Sequence, residues 1–164
     1  MLLLTRAEVE ELLDLDELVD ALARAHERLS AADVSMPPRI AALVPEREAL
    51  LGVMPAYVPG EALACKLVTL FPQNRDRPTH QAAILVFDHA NGTPLALMDG
   101  TYITAARTAA GSALATRLLA RDDARVLAIL GTGVQARSHA RALVLEAARS
   151  QGAGREIELE EIAQ

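Results

Sequence analysis

Tryptophan is absent from this sequence, and aromatic residues make up only 2% of it. So few rings exclude a base-stacking platform for single-stranded nucleic acid. They also leave the core to Leu, Ala, Val and Ile. Cationic excess is missing too: 16 Lys and Arg stand against 22 Asp and Glu, a net charge of -6. That balance argues against a phosphate-backbone partner. Cys65 is the single cysteine, so no intrachain disulfide can form, which fits a reducing compartment. No apolar run approaches the ~20 residues of a membrane-spanning helix. The opening Met1–Arg6 lacks a basic region and is too short for a signal peptide. The expectation is a cytoplasmic protein with neither a nucleic-acid nor a membrane partner.

What is present is ample apolar material. Hydrophobic residues reach 51% of 164 positions, too many for a disordered chain and enough for one domain, or one domain plus a fragment. Thr5 and Glu8 have capping-box spacing, and Asp14 and Glu17 repeat it. Leu18, Val19, Leu22, Ala25 and Leu29 recur at helical intervals, so two helices are expected over most of residues 6 to 31. Met36-Pro37-Pro38 closes that region. Strand-like segments follow at Arg39–Val44, Leu50–Tyr57, Ala62–Leu70, Ala82–Asp88 and Pro94–Met98. The connections are too short for crossover helices, which predicts a largely antiparallel sheet. Asn91-Gly92 marks the tip of a hairpin. An alanine-rich helix is expected over Thr101–Ala120, a short buried strand over Val126–Leu130, and a helix over Gln135–Ser150. Glu156–Leu159 reads as a terminal strand or tail.

The strand-like run Val126–Leu130 leads straight into Gly131-Thr132-Gly133-Val134-Gln135-Ala136. Gly131-x-Gly133-x-x-Ala136 has dinucleotide-fingerprint spacing. The first glycine makes the turn, the second admits a pyrophosphate to the backbone, and the small third residue lets helix and strand approach. The plainer reading is an ordinary glycine turn between strand and helix. The fingerprint also expects an acidic residue about 20 positions on, at the end of a second strand. Glu156, Glu158, Glu160 and Glu161 follow no convincing buried strand and read as a solvated acidic tail.

Among single residues, Lys66 lies within the apolar strand Ala62–Leu70, on one face with Ala64, Val68 and Leu70. A lysine held there needs a partner, and burial lowers its pKa, which suits a proton donor or a group polarising a carbonyl or imine. A lysine that snorkels to the sheet edge fits the spacing equally well. Arg39 and Arg107 could each offer a planar fork to a carboxylate. A lone arginine is more often a surface residue. His80 and Gln81, just before an apolar strand, are weaker candidates. No metal-ligand cluster is evident.

Taken together, several segments resemble the ornithine cyclodeaminase/mu-crystallin family: Met36–Arg39, Ala64–Val68 with Asn74, Thr79–Ala82, Gly92–Gly100, Thr104–Ala110 and Leu130–Ala136. The resemblance covers roughly residues 1 to 142. It implies NAD(P)-linked chemistry at a small amino or imino acid, as in cyclodeaminases, amino-acid dehydrogenases and ketimine reductases. It implies Arg39 and Arg107 on the substrate carboxylate, Lys66 on the substrate as the proton-transfer residue, and Gln81 beside the substrate or nicotinamide. Thr108, Gly131, Thr132, Gly133, Val134 and Gln135 would face the cofactor. No metal is implied. A homodimer is expected, since an antiparallel sheet with open edges needs covering.

The expected fold is therefore α+β: a largely antiparallel sheet with flanking helices, plus only the first β-α unit of a Rossmann domain. The expected division is a substrate and dimerisation domain over 1–124, the start of a Rossmann domain over 125–141, and a C-terminal helix and tail over 142–164. Family members continue much further after the glycine turn. On this resemblance, residues from Ala142 look like the family's final helix, fused to the first Rossmann helix. The family's catalytic aspartate and ribose-binding acid then have no assignable counterpart. Two functions follow: NAD(P)-dependent hydride transfer, impaired in the short chain, or a non-catalytic dimerising remnant or engineered core that binds a small carboxylate and no cofactor.

Overall fold

A computed structural model describes residues 1–124 and 126–150. They fall into two compact units, Met1–Leu13 with Arg24–Thr104, and Asp14–Ala23 with the chain from Ala105 onward. Glu156–Leu159 lies outside the described residues. In chain order the elements are β1 (Leu2–Leu4), α1 (Arg6–Leu12), α2 (Leu15–Ser30), β2 (Ile40–Val44), β3 (Ala49–Val58), β4 (Ala62–Leu70), β5 (His80–Phe87), β6 (Pro94–Asp99), α3 (Thr101–Leu119) and α4 (Val134–Ser150).

The first unit is a six-stranded sheet in the order β1-β6-β5-β4-β3-β2. From β2 to β6 it is an antiparallel meander, as the short connections require. The exception was not expected: Leu2–Leu4 pairs in parallel with β6. Pro55 sits inside β3 without breaking a ladder. The Tyr57 N–H points to the β2 side, where it meets the Ser35 carbonyl at 2.8 Å. Two residues back, the missing Pro55 donor therefore falls on that same side, beyond the end of β2 at Ile40↔Val53. Helix starts follow the sequence. The Glu8 carboxylate accepts the Thr5 N–H at 2.7 Å to close the capping box. Asp14 Oδ1 accepts the N–H groups of Asp16 and Glu17 at 2.8 and 2.9 Å. Arg28, near the end of α2, pairs with Asp33 and reaches Glu61 in the turn between β3 and β4, each at 2.7 Å.

The second unit is helical. Val19 of α2, Ala109, Ala110, Ala113 and Leu114 of α3, and Ala142 of α4 are buried together, with Leu18, Leu22, Ala23 and Leu143 packed around them. Alanine at four of these positions lets the helix backbones approach closely. Small side chains bury little area, and charge supplements them: Glu146, 7% exposed, takes both arms of Arg117 at 2.7 and 2.6 Å.

One expected element does not form. Val126–Leu130 is neither buried nor a strand. Val126 and Leu130 are 91% and 97% exposed. The reason is pairing: an apolar run becomes a strand only when neighbours accept its backbone hydrogen bonds, and among the described residues none does. The helix after the turn forms regardless, because α4 satisfies its own backbone.

The joint between sheet and helix is tightest at Gly100. Its N–H donates to the Ala82 carbonyl at 2.8 Å, and the Ala82 N–H donates to Thr101 Oγ1 at 3.0 Å. Asp99 Oδ1 accepts the N–H groups of Thr101 and Tyr102 at 3.0 and 3.1 Å. A Cβ on residue 100 would meet Ala82 Cβ at 3.0 Å, Ile84 Cγ1 at 3.1 Å and the Ala82 carbonyl carbon at 3.2 Å. Backbone cannot yield as a side-chain tip can. Gly100→Ala is expected to cost about 1–3 kcal/mol in denaturant unfolding; an unchanged midpoint would show that the joint relaxes freely.

Candidate functional site

The sheet register decides which candidates share a face in the first unit. Lys66 lies in β4 between Met54 of β3 and Ile84 of β5, half-buried at the centre of the sheet. Opposed residues share a face and alternate residues along a strand do too. The Lys66 face therefore carries Ala64, Val68 and Leu70, as the alternation predicts, and across the strands Ala82 and His80. Gln81 stands opposite Thr69 and belongs to the other face. Of the His80-Gln81 pair it is thus His80 that shares the face of Lys66, a point only the register reveals. Arg39 is exposed and directly precedes β2. Asn74, in the loop before β5, donates to the Pro78 carbonyl at 3.0 Å and shapes that loop.

The remaining candidates lie in the helical unit. Arg107 is exposed on α3 and Thr108 beside it is half-buried. Residues Gly131–Gln135 are all exposed. Gly131 has φ +105°, a conformation that glycine adopts at no steric cost. No heavy atom lies within 4 Å of a Cβ built on Gly131 or Gly133. The Gly133 carbonyl accepts the Arg137 N–H at 3.2 Å. The N–H groups of Val134, Gln135 and Ala136 therefore precede the first intrahelical bond and face the positive end of α4. An open turn, two bare glycines and free helical N–H groups fit the phosphates of a dinucleotide. The ribose side has no match there. The one acidic residue between the turn and Ser150 is Glu146, and it is buried against Arg117. Hydrogen bonding to that carboxylate raises the Arg117 pKa above its ordinary value.

Polar order also appears where sequence reasoning placed none. Ser112 Oγ of α3 lies 3.0 Å from His139 Nε2 of α4, and His139 Nδ1 lies 2.7 Å from the Gln135 carbonyl. Among the described residues no group of three or more His, Cys, Asp or Glu could hold a metal ion, and no helix is long and apolar enough to cross a membrane.

With that geometry in hand, comparison with known sequences is decisive. The profile of the ornithine cyclodeaminase/mu-crystallin family matches residues 1–151. The chain belongs to this family. The ketimine reductase mu-crystallin of Mus musculus is 52% identical over 109 residues, covering 65% of this chain and 35% of the relative. A Delta(1)-pyrroline-2-carboxylate reductase of Bacillus cereus is 36% identical over 146 residues, covering 87% of this chain and 45% of the relative. Among solved structures, the Thermococcus litoralis Delta(1)-pyrroline-2-carboxylate reductase in complex with NADH and L-proline superposes with a TM-score of 0.84 at 40% identity. It is covered to 46% by 88% of this chain. An archaeal alanine dehydrogenase dimer with bound NAD gives the same TM-score at 34% identity, with 88% and 45% coverage. The chain thus spans less than half the length of these relatives. They are reductases and a dehydrogenase, two of them solved with NADH or NAD bound, and the α+β fold is theirs.

Proposed function

We propose that this chain supplies the substrate side of an NAD(P)-linked reaction at a small amino or imino acid. The observation that carries the reading is Lys66, half-buried at the centre of the family's sheet between Met54 and Ile84. An amine fixed at that place in the sheet can donate to a substrate carboxylate or imine nitrogen. The alternation of β2 carries Ala41 and Leu43 to the Lys66 face. Continued back from Ala41, it carries Arg39 there as well. By the family resemblance, Arg39 and Arg107 each offer two N–H donors to a substrate carboxylate. Lys66 holds the reacting nitrogen or carboxylate and delivers or removes a proton there. His80 and Gln81 border the same strand end from opposite faces. The nicotinamide, when bound, supplies or accepts hydride at the substrate's α-carbon. Thr108 and the Gly131-Thr132-Gly133-Val134-Gln135 turn hold its phosphates. Turnover in this chain is lower than in the longer relatives, because among the described residues the run before Gly131 has no strand partner to fix the turn.

Titration with NADH and with L-proline tests this reading. Saturable binding of both, each raising the melting temperature, is expected. Arg39→Ala should weaken L-proline about 10- to 100-fold, and Lys66→Met should abolish reduction of pyrroline-2-carboxylate while leaving NADH bound. Binding of L-proline without NADH would favour the second reading, a non-catalytic module for small carboxylates. Binding of neither contradicts both.

The chain is further proposed to work as a homodimer. The face opposite Lys66 carries Leu3, Leu51, Leu67 and Leu97, all solvent-exposed, around Leu85 and Val53. A contiguous apolar face of this kind is what an interface covers. Light scattering should give twice the chain mass, and Leu67→Lys should halve it. A monomer at high concentration refutes the dimer.

A further inference from the structure

We propose that Ser112 and His139 form a positioning pair that sets the dinucleotide turn. This rests on the reading that Thr108 and Gly131–Gln135 face the cofactor. The chemistry of the bridge is determined by its far end. The Gln135 carbonyl can only accept, so at 2.7 Å His139 Nδ1 carries the proton. In the neutral ring Nε2 then presents its lone pair, and the Ser112 hydroxyl 3.0 Å away donates to it. The same hydroxyl lies 3.3 Å from the Thr108 carbonyl. The bridge thus runs from the turn of α3 that holds Thr108 to the first turn of α4, directly after Gly131-x-Gly133.

Its setting explains why such a bridge matters. The two helices meet through Ala109, Ala110, Ala113 and Ala142. Small apolar faces allow close approach but say little about where one helix stops along the other. A hydrogen bond between half-buried groups is directional and selects one register. Ser112 is one helical turn beyond Thr108, and His139 is one turn beyond Gln135, so a slip at the bridge moves both cofactor-facing residues. Both side chains are half-buried, and the small cavity lined by Leu15, Val19, Ala142 and Glu146 includes neither of them.

The test compares NADH dissociation constants and melting temperatures of the full chain with those of Ser112→Ala, Ser112→Thr, His139→Asn and the Ser112→Ala/His139→Asn double variant. Asn can still reach the Gln135 carbonyl but not Ser112. We expect Ser112→Ala and His139→Asn each to weaken NADH about 5- to 10-fold, with the double variant no weaker than either single one. Ser112→Thr keeps the hydroxyl and should restore wild-type affinity. Variants that bind NADH as the wild type does, or lose affinity only as their melting temperatures fall, overturn the positioning role. A wild-type chain that does not bind NADH overturns the cofactor reading itself, and the pair's role with it.

Discussion

Backbone pairing is the constraint on which this structure depends. A strand is stable only when a neighbour takes up its N–H and C=O groups, whereas a helix satisfies its own. Six segments find neighbours and make the sheet that carries Lys66. Val126–Leu130 is as apolar as any of them and finds none among the described residues. The same requirement explains why Pro55 is tolerated where β2 has ended, and why α4 and its glycine turn persist beside an unpaired run.

Chemistry follows the same division. The sheet can hold a charged side chain at a fixed place because its neighbours on both sides are locked in register. Lys66 sits in the middle of that lattice, and Arg39 leads into β2 at its edge. The helical unit is built differently, from alanine faces, the ion pair of buried Glu146 with Arg117, and the Ser112–His139 bridge. Its glycine turn is exposed, with Gly131 at φ +105°. The chain shares its family with reductases and dehydrogenases of whose length it spans less than half.

Much of this was legible in the sequence. Alternation and turn residues located β2 to β6 to within two residues, because antiparallel strands with short connections leave few alternatives. Capping-box spacing at Thr5 and Asp14 located α1 and α2, where Thr5 forms the full box and Asp14 caps through its carboxylate alone. The face of Lys66 followed from a period of two. Leu2–Leu4 was not legible, since three residues are too few to show a period. The unpaired state of Val126–Leu130 was not legible either, because hydrophobicity marks a segment that could be a strand and not whether a partner exists. Likewise, that His80 and not Gln81 shares the Lys66 face depends on register across strands. Ser112 and His139 are 27 positions apart, each one polar residue among several on its helix, and only packing brings them together.

Hydrogen exchange of backbone amides tests the account most directly. Amides of β3, β4 and β5 are expected to exchange only through opening of the sheet, while those of Val126–Leu130 exchange near the rate of an unstructured peptide and those within α4 fall between. Protection of Val126–Leu130 equal to that of β4 would contradict the account, for it would mean that this run is a paired strand after all.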